Sequence, residues 1–275
     1  MNLNSRLAYR ESSDPVYAAI SSGNEEIASM ILEKGYKFSS QQKFEECLNL
    51  AAFKGHADLM LSMLQGINSV FSPKQTHDVL QVALYGRNEL KVNVLIVGYG
   101  DINAQTGYFG NALHAAICGG SLSLVRPVLA QGADLHTRCR FGYPLRAAVA
   151  FSHEEIVRWL LLDQRIDPNI QDEELGDCLQ TAASKGHLAI MTLLLDQGAN
   201  AGGSGGVYKN ALQAASFEGH QGAAQLLLKT HANIRSRGRY RNAFQAAVYG
   251  ASKKVVKILI EHGSEWDLSL RNQWM

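Results

Sequence analysis

One short apolar motif returns along the chain: Val16, Leu48, Leu80, Leu113, Leu145, Leu179, Leu212 and Phe244 are each followed three residues later by alanine, at Ala19, Ala51, Ala83, Ala116, Ala148, Ala182, Ala215 and Ala247. Successive motifs lie 32, 32, 33, 32, 34, 33 and 32 residues apart. A period of that length marks a stacked array in which each unit buries its apolar face on its neighbours. Each unit predicts two short amphipathic helices. Leu-x-x-Ala opens the first, and a block of Ile, Leu and Val closes the second, as at Ile156–Leu162, Ile190–Leu195 and Val255–Ile260. The alanine column requires a small side chain because helices of successive units meet there at close distance, so a bulky replacement predicts overpacking.

Polar residues punctuate these stretches. Asp14, Asp78, Asn111, Asp177, Asn210 and Asn242 stand two residues before the column residue, where a side-chain oxygen caps the orphan N–H groups of a helix. Gln81, Gln180, Gln213 and Gln245 follow three residues later and give a near capping box, with Pro15 and Pro144 in the first helical turn. Gly23, Gly55, Gly120, Gly186 and Gly219 predict the turn between helices, while Gly35, Gly132, Gly198 and Gly263 end the second helix. The third unit is irregular, since Arg87 replaces the turn glycine and Gly98-Tyr99-Gly100 shifts its end.

With these residues in place, the succession of helix, Gly-His turn, Leu-Leu helix and Gly132-Ala133-Asp134 or Gly198-Ala199-Asn200 resembles the ankyrin repeat. In place of the usual Thr-Pro-Leu-His opening stand Gly110-Asn111-Ala112-Leu113-His114-Ala115-Ala116, Asn210-Ala211-Leu212-Gln213-Ala214-Ala215 and Asn242-Ala243-Phe244-Gln245-Ala246-Ala247. That variant resembles the arrays of filamentous fungi, found in free-standing ankyrin proteins and at the C-termini of nucleotide-binding immune-like receptors. The expected architecture is an all-α ankyrin-repeat solenoid of about eight helix-turn-helix units joined by finger loops. It forms one domain over residues 1–275, with a cap region at 1–13, repeats at 14–265 and a tail at 266–275. Trp266, Leu268, Leu270 and Trp274 alternate in that tail, which predicts either a fold-back over the last repeat or a separate contact.

Composition narrows the function classes. The 275 residues carry a formal net charge of +1, which gives no global pull toward nucleic acid. No apolar run is long enough to cross a bilayer, and Met1 to Arg10 lack the continuous apolar core of a secretory signal, so an intracellular protein of cytoplasm or nucleus is expected. Cys47, Cys118, Cys139 and Cys178 lack paired metal spacing and read as free packing thiols. His56, His153, His187 and His220 recur at one repeat position and read as turn hydrogen-bonders to neighbouring backbone, with His114 as another at a helix start. Gly202-Gly203-Ser204-Gly205-Gly206 lacks the Lys-Ser/Thr ending of a phosphate loop and reads as a flexible finger. Neither a catalytic set, a metal nor a cofactor is expected.

The remaining signal lies two residues after the column alanine, where Phe53, Tyr85, Phe217 and Tyr249 place bulk that the scaffold does not need. By the ankyrin resemblance this position and the finger beyond it face a concave groove, so these rings are candidates for partner contact. Phe151 lies one residue further on, and Tyr108, Phe109, Phe141, Tyr208 and Tyr240 lie in fingers. The alternative is that the rings pack on neighbouring fingers. Arg235, Arg237, Arg239 and Arg241 alternate before the last repeat and form an anchor for carboxylate or phosphate on a partner, Arg138 and Arg140 precede the fifth, and the sixth finger carries Asp172, Glu173 and Glu174.

The leading expectation is a non-catalytic scaffold, monomeric by itself, that binds another protein in its groove. Resemblance to free-standing ankyrin proteins implies a transcription factor as partner and a coregulator role. Two alternatives stand beside it: a small-molecule-binding or enzymatic solenoid, and a sensor array related to fungal immune-like receptors. Against the last stand the chain's own Met1 and the lack of a nucleotide-binding segment.

Overall fold

The computed structural model describes residues 14–65, 73–87, 101–163 and 166–263. The expected cap region, the Gly98-Tyr99-Gly100 irregularity and the apolar tail lie outside the described residues. The chain forms two compact units, Met1–Pro144 and Leu145–Met275. Among the described residues the first holds α1 (Pro15–Ser21), α2 (Glu25–Glu33), α3 (Gln41–Lys54), α4 (Ala57–Gln65), α5 (Pro73–Tyr85), α6 (Ala112–Gly119) and α7 (Leu122–Ala130). From α8 (Pro144–Ala150) the second continues through α9 (Glu154–Leu161), α10 (Cys178–Lys185), α11 (Leu188–Asp196), α12 (Ala211–Glu218), α13 (Gln221–Lys229), α14 (Ala243–Tyr249) and α15 (Lys253–Glu261).

First helices pack side by side, α1 on α3, α3 on α5 and α5 on α6 in the first unit, α10 on α12 and α12 on α14 in the second. Second helices form the other layer, with α2 on α4 and the run α9, α11, α13, α15. Every alanine of the column is buried between them. Ala148 has no exposed surface, so a leucine there would overfill a close-packed seam at a cost of about 1–3 kcal/mol.

Caps set where most first helices begin. The carboxylate of Asp14 accepts the N–H groups of Val16 and Tyr17, Asn111 accepts that of His114, Asp177 that of Gln180, Asn210 that of Gln213 and Asn242 that of Gln245. Such a cap contributes about 1 kcal/mol per helix. Asp78 is the exception to the expected caps, because it lies inside α5, which starts five residues earlier at Pro73. In the second repeat Ser40 caps the likewise extended α3 through the N–H of Lys43. Left-handed turns follow at Gly23, Gly55, Gly120, Gly186 and Gly219, and Arg87 takes the same conformation at φ 61° where glycine is missing.

The glutamines three residues after the caps depart from the capping-box expectation. The amides of Gln81, Gln180 and Gln213 reach forward to the next finger rather than back to the cap backbone, and that of Gln180 also donates to the carboxylate of its own cap, Asp177, at 3.2 Å. Gln81 Nε2 donates to the carbonyl of Thr106 at 2.8 Å, Gln180 Nε2 to Gly203 at 3.4 Å and Gln213 Nε2 to Ser236 at 3.1 Å. His114 Nε2–H donates to the Gly142 carbonyl at 3.0 Å, and Arg146 Nη2 to that of Leu175 at 3.1 Å. One position, occupied by Gln, His or Arg, therefore ties each of these fingers to the preceding helix start. Gly176 has to be small here, since a Cβ would stand 2.4 Å from Gln180 Oε1.

Three of the four recurrent histidines, His56, His187 and His220, act between repeats. His220 Nε2–H donates to the Ser184 carbonyl at 3.0 Å, His187 Nε2 meets the hydroxyl of Ser152, and His56 Nδ1 lies 3.2 Å from the Glu25 carboxylate. Two asparagines add a further tie. Asn103 bridges Gly132 and Asp134, and Asn169 bridges Gly198 and Asn200, each giving its amide N–H and accepting a backbone one.

Candidate functional site

Fingers are hairpin-like, closed by single antiparallel bridges at Thr106 and Gly110, Cys139 and Gly142, and Gly205 and Lys209. The glycine-rich stretch expected to be flexible is the third of these. It packs so closely that a Cβ on Gly206 would meet the Gly176 backbone at 2.6 Å. In register with the column residue, the fourth position before it carries Phe109, Phe141, Leu175, Tyr208 and Tyr240, a second series of bulky side chains. Counting backward from the column aligns these finger residues in the sequence itself.

In the first unit the helix-end and finger rings form one row. Phe53 stacks on Tyr85 with centroids 6.3 Å apart, and Tyr85 lies 4.6 Å from Phe109. Tyr108 meets Phe109 edge to face at 5.1 Å, and Phe141 lies 5.9 Å from Tyr108 and 6.2 Å from Phe109. Phe109 is only 1% exposed, a correction to its expected place on an open surface. Tyr85 from the preceding helix end, Tyr108 and Phe141 cover it, so it supports the row from beneath. The guanidinium of Arg140 lies over Tyr108 at 4.1 Å and 5.4 Å from the centre of Phe141. Burial pushes the Tyr85 phenol above its usual range.

The second unit builds a shorter row. Phe217 and Tyr240 stack at 4.7 Å with planes 10° apart, Tyr208 lies 5.7 Å from Phe217, and Tyr249 closes the row 5.5 Å from Tyr240. The phenol of Tyr208 donates to the Glu218 carboxylate, and burial followed by that bond pushes it up to about 12. Tyr249 is 63% exposed and Val248 beside it 54%. Arg239 lies 5.7 Å over Tyr240, while Arg235, Arg237 and Arg241 are exposed on the same finger. The Phe151 ring lies 6.2 Å from that of His153.

Asp172 is structural rather than a surface charge, and the cysteines are packing thiols as expected. Asp172, expected among the acidic residues of a solvated finger, is 3% exposed and accepts the N–H groups of Glu174 and Leu175, which leaves Glu173 and Glu174 as the exposed acids. All four cysteines are free and buried, and burial raises the thiols of Cys47 and Cys178 to about 12 and Cys139 to about 11. A thiol held neutral at neutral pH is a poor nucleophile and a poor ligand. Among the described residues no three His, Cys, Asp or Glu side chains converge as a metal site would need.

The sequence model for ankyrin repeats matches in three copies, over residues 80–172, 145–238 and 179–270. The chain belongs to the ankyrin-repeat family. Alpha-latrocrustotoxin-Lt1a of Latrodectus tredecimguttatus is 29% identical over 91 residues, which span 33% of this chain and 6% of the toxin. The human ASB11 ankyrin repeat domain is similar in structure, with a TM-score of 0.68 over 80% of this chain and 98% of that one, at 23% identity. The fold is thus an all-helical ankyrin-repeat solenoid. Ankyrin repeats generally mediate protein–protein interaction, and the fold is typically a non-catalytic scaffold. No helix among the described residues is long and apolar enough to cross a membrane.

Proposed function

We propose that this ankyrin array is a non-catalytic module that binds another protein through its finger side, with the ring rows and finger arginines as contact residues. The observation that carries the reading is the open end of the second row, where Val248 and Tyr249 are exposed beside Tyr240 and the Arg235 to Arg241 finger. Apolar surface of this kind beside cationic side chains suits a partner with carboxylates around an apolar anchor. Stacked repeats hold the contact side chains fixed, so little ordering entropy is lost on binding. The Asn-Ala-Leu and Asn-Ala-Phe openings at Asn111, Asn210 and Asn242 support a relation to free-standing fungal ankyrin proteins, and with it a coregulator of a transcription factor in nucleus or cytoplasm.

Affinity capture from the native source tests this with three baits: wild type, Tyr249→Ser combined with Arg237→Ala and Arg239→Ala, and Lys253→Ala with Lys254→Ala on the exposed surface of α15. The expected outcome is a protein partner retained by wild type and by the lysine variant but lost by the finger variant. Retention by the finger variant together with loss by the lysine variant overturns the reading.

A further inference from the structure

In the first unit the fourth and fifth fingers flank a shallow, largely open cleft of about 390 Å³, lined by Gln105, Thr106, Gly107, Tyr108, Cys139 and Arg140 among others. Among the residues that line it the one charge is the guanidinium of Arg140. Cys139 adds no anion, because burial keeps its thiol protonated well above neutral pH. Arg140 is exposed, yet its position is defined by the Tyr108 ring at 4.1 Å and the Phe141 ring at 5.4 Å. A guanidinium resting over a ring uses its face for the ring and keeps its in-plane N–H fork for a planar oxyanion. Tyr108 itself is fixed against Phe109 beneath, so the platform is rigid before any ligand arrives. The Thr106 hydroxyl accepts from Gln81 Nε2 at 3.2 Å, which leaves its own proton for an acceptor in the cleft.

We propose that this cleft is an oxyanion subsite that receives an acidic side chain of an extended peptide segment, with Arg140 as the bidentate donor and Tyr108 as its platform. The inference rests on the protein-binding reading above and names the partner chemistry at a second place on the fingers. Preorganisation gives the site its selectivity. The arginine is held by the rings in the free protein, so its fork is ordered at little further entropy cost, whereas a lysine at the same position offers a point charge without the fork.

The test uses the full chain and a fluorescein-labelled peptide alternating Glu with Gly at low salt, its Gln counterpart, inorganic phosphate as competitor and single-stranded polythymidine. Arg140→Ala and Arg140→Lys are each expected to weaken the Glu peptide about tenfold, the worth of one charge-assisted pair. Arg138→Ala, which removes the same charge from the same finger, should weaken it far less, and Tyr108→Leu should match Arg140→Lys. Competition by phosphate that disappears in Arg140→Ala identifies phosphate as an alternative source of the oxyanion and supports the subsite, and an absence of competition assigns it to carboxylate. Equal losses in Arg138→Ala and Arg140→Ala overturn it as general charge attraction. Equal binding of Glu and Gln peptides overturns the subsite while leaving the protein-binding reading intact, and polythymidine bound through Arg140 in preference to the peptide overturns both the partner class and the subsite. Thermal melts of each variant separate a lost contact from a lost fold.

Discussion

The two ring rows use the same repeat positions and reach different ends. In the first unit Phe109 sits in a finger whose preceding helix ends in Tyr85, and its ring closes against that tyrosine at 4.6 Å and disappears from the surface. At the equivalent finger position of the second unit stands Tyr208, whose preceding helix ends in Ser184. With no ring behind it, Tyr208 stays half-buried, and its hydroxyl is held by Glu218. The finger arginines diverge for the same kind of reason. Arg140 finds Tyr108 on the finger before it, whereas Arg239 finds Val207 at that position and reaches only the Tyr240 ring of its own finger. One ring behind a finger residue does not by itself bury it, since Tyr240 stacks on Phe217 and stays half-buried, whereas Phe109 is buried where Tyr85, Tyr108 and Phe141 all close on it. The first row is a half-buried ladder built on one covered ring, with one arginine over it, and the second is a ladder with an exposed apolar end.

Four substitutions test and sharpen that contrast. Phe109→Ala should have the largest effect, a loss of about 3–5 kcal/mol in denaturant unfolding, because it empties a fully covered site. The same change at Tyr208 should cost about half as much, in proportion to the smaller area it buries. Equal losses would make the two rows equivalent and dissolve the distinction.

Next comes pH. His114 ties the fifth finger in the first unit, and burial pulls its pKa from the usual 6.5 to about 4, against the opposing hydrogen bond to Gly142. Because the folded pKa lies below the unfolded one, the unfolded chain binds more protons between pH 7 and 4. Stability is therefore complete above the unfolded value and falls as pH drops through that window, by about 3 kcal/mol in all. His114→Gln restores the residue used at Gln81, Gln180 and Gln213 and should flatten this part of the stability profile measured by urea titration across pH. An unchanged profile in the variant would show that the sensitivity lies elsewhere.

The smallest effect is a graft. Val207→Tyr places the ring of Tyr108 in the second unit next to Arg239, and should gain about 0.5–1 kcal/mol as the guanidinium settles over it. It should also narrow the exposed apolar surface, where Val207 is now 49% exposed. A melt unchanged or lowered would show that backbone differences between the fingers, and not the single residue, keep Arg239 away.

Much of the fold was legible because the features that specify it are local. The Leu-x-x-Ala column, the Asp and Asn caps and the turn glycines act within one repeat, and the structure places them as read except where α3 and α5 begin early and take Asp78 into a helix. Less of the candidate site was legible. The sequence marked every ring of both rows, yet it placed Phe109 outside, treated Asp172 as a surface charge and sent the glutamines back to their own caps. Each of these errors concerns a partner about one repeat away or a loop closing on itself: Tyr85 for Phe109, the turn N–H groups for Asp172, the next finger for Gln81, Gln180 and Gln213.

The sequence by itself determined the period, the helix pairs, the small-residue seam and the positions of aromatic and cationic side chains, since these follow from spacing and local hydrogen-bonding capacity. Tertiary structure alone decided which rings are covered, which arginine is held, and which polar side chain bridges two repeats. Burial and hydrogen bonding at a finger are properties of a pair of stacked repeats, set by side chains brought within a few ångströms that the chain itself separates by about 30 residues.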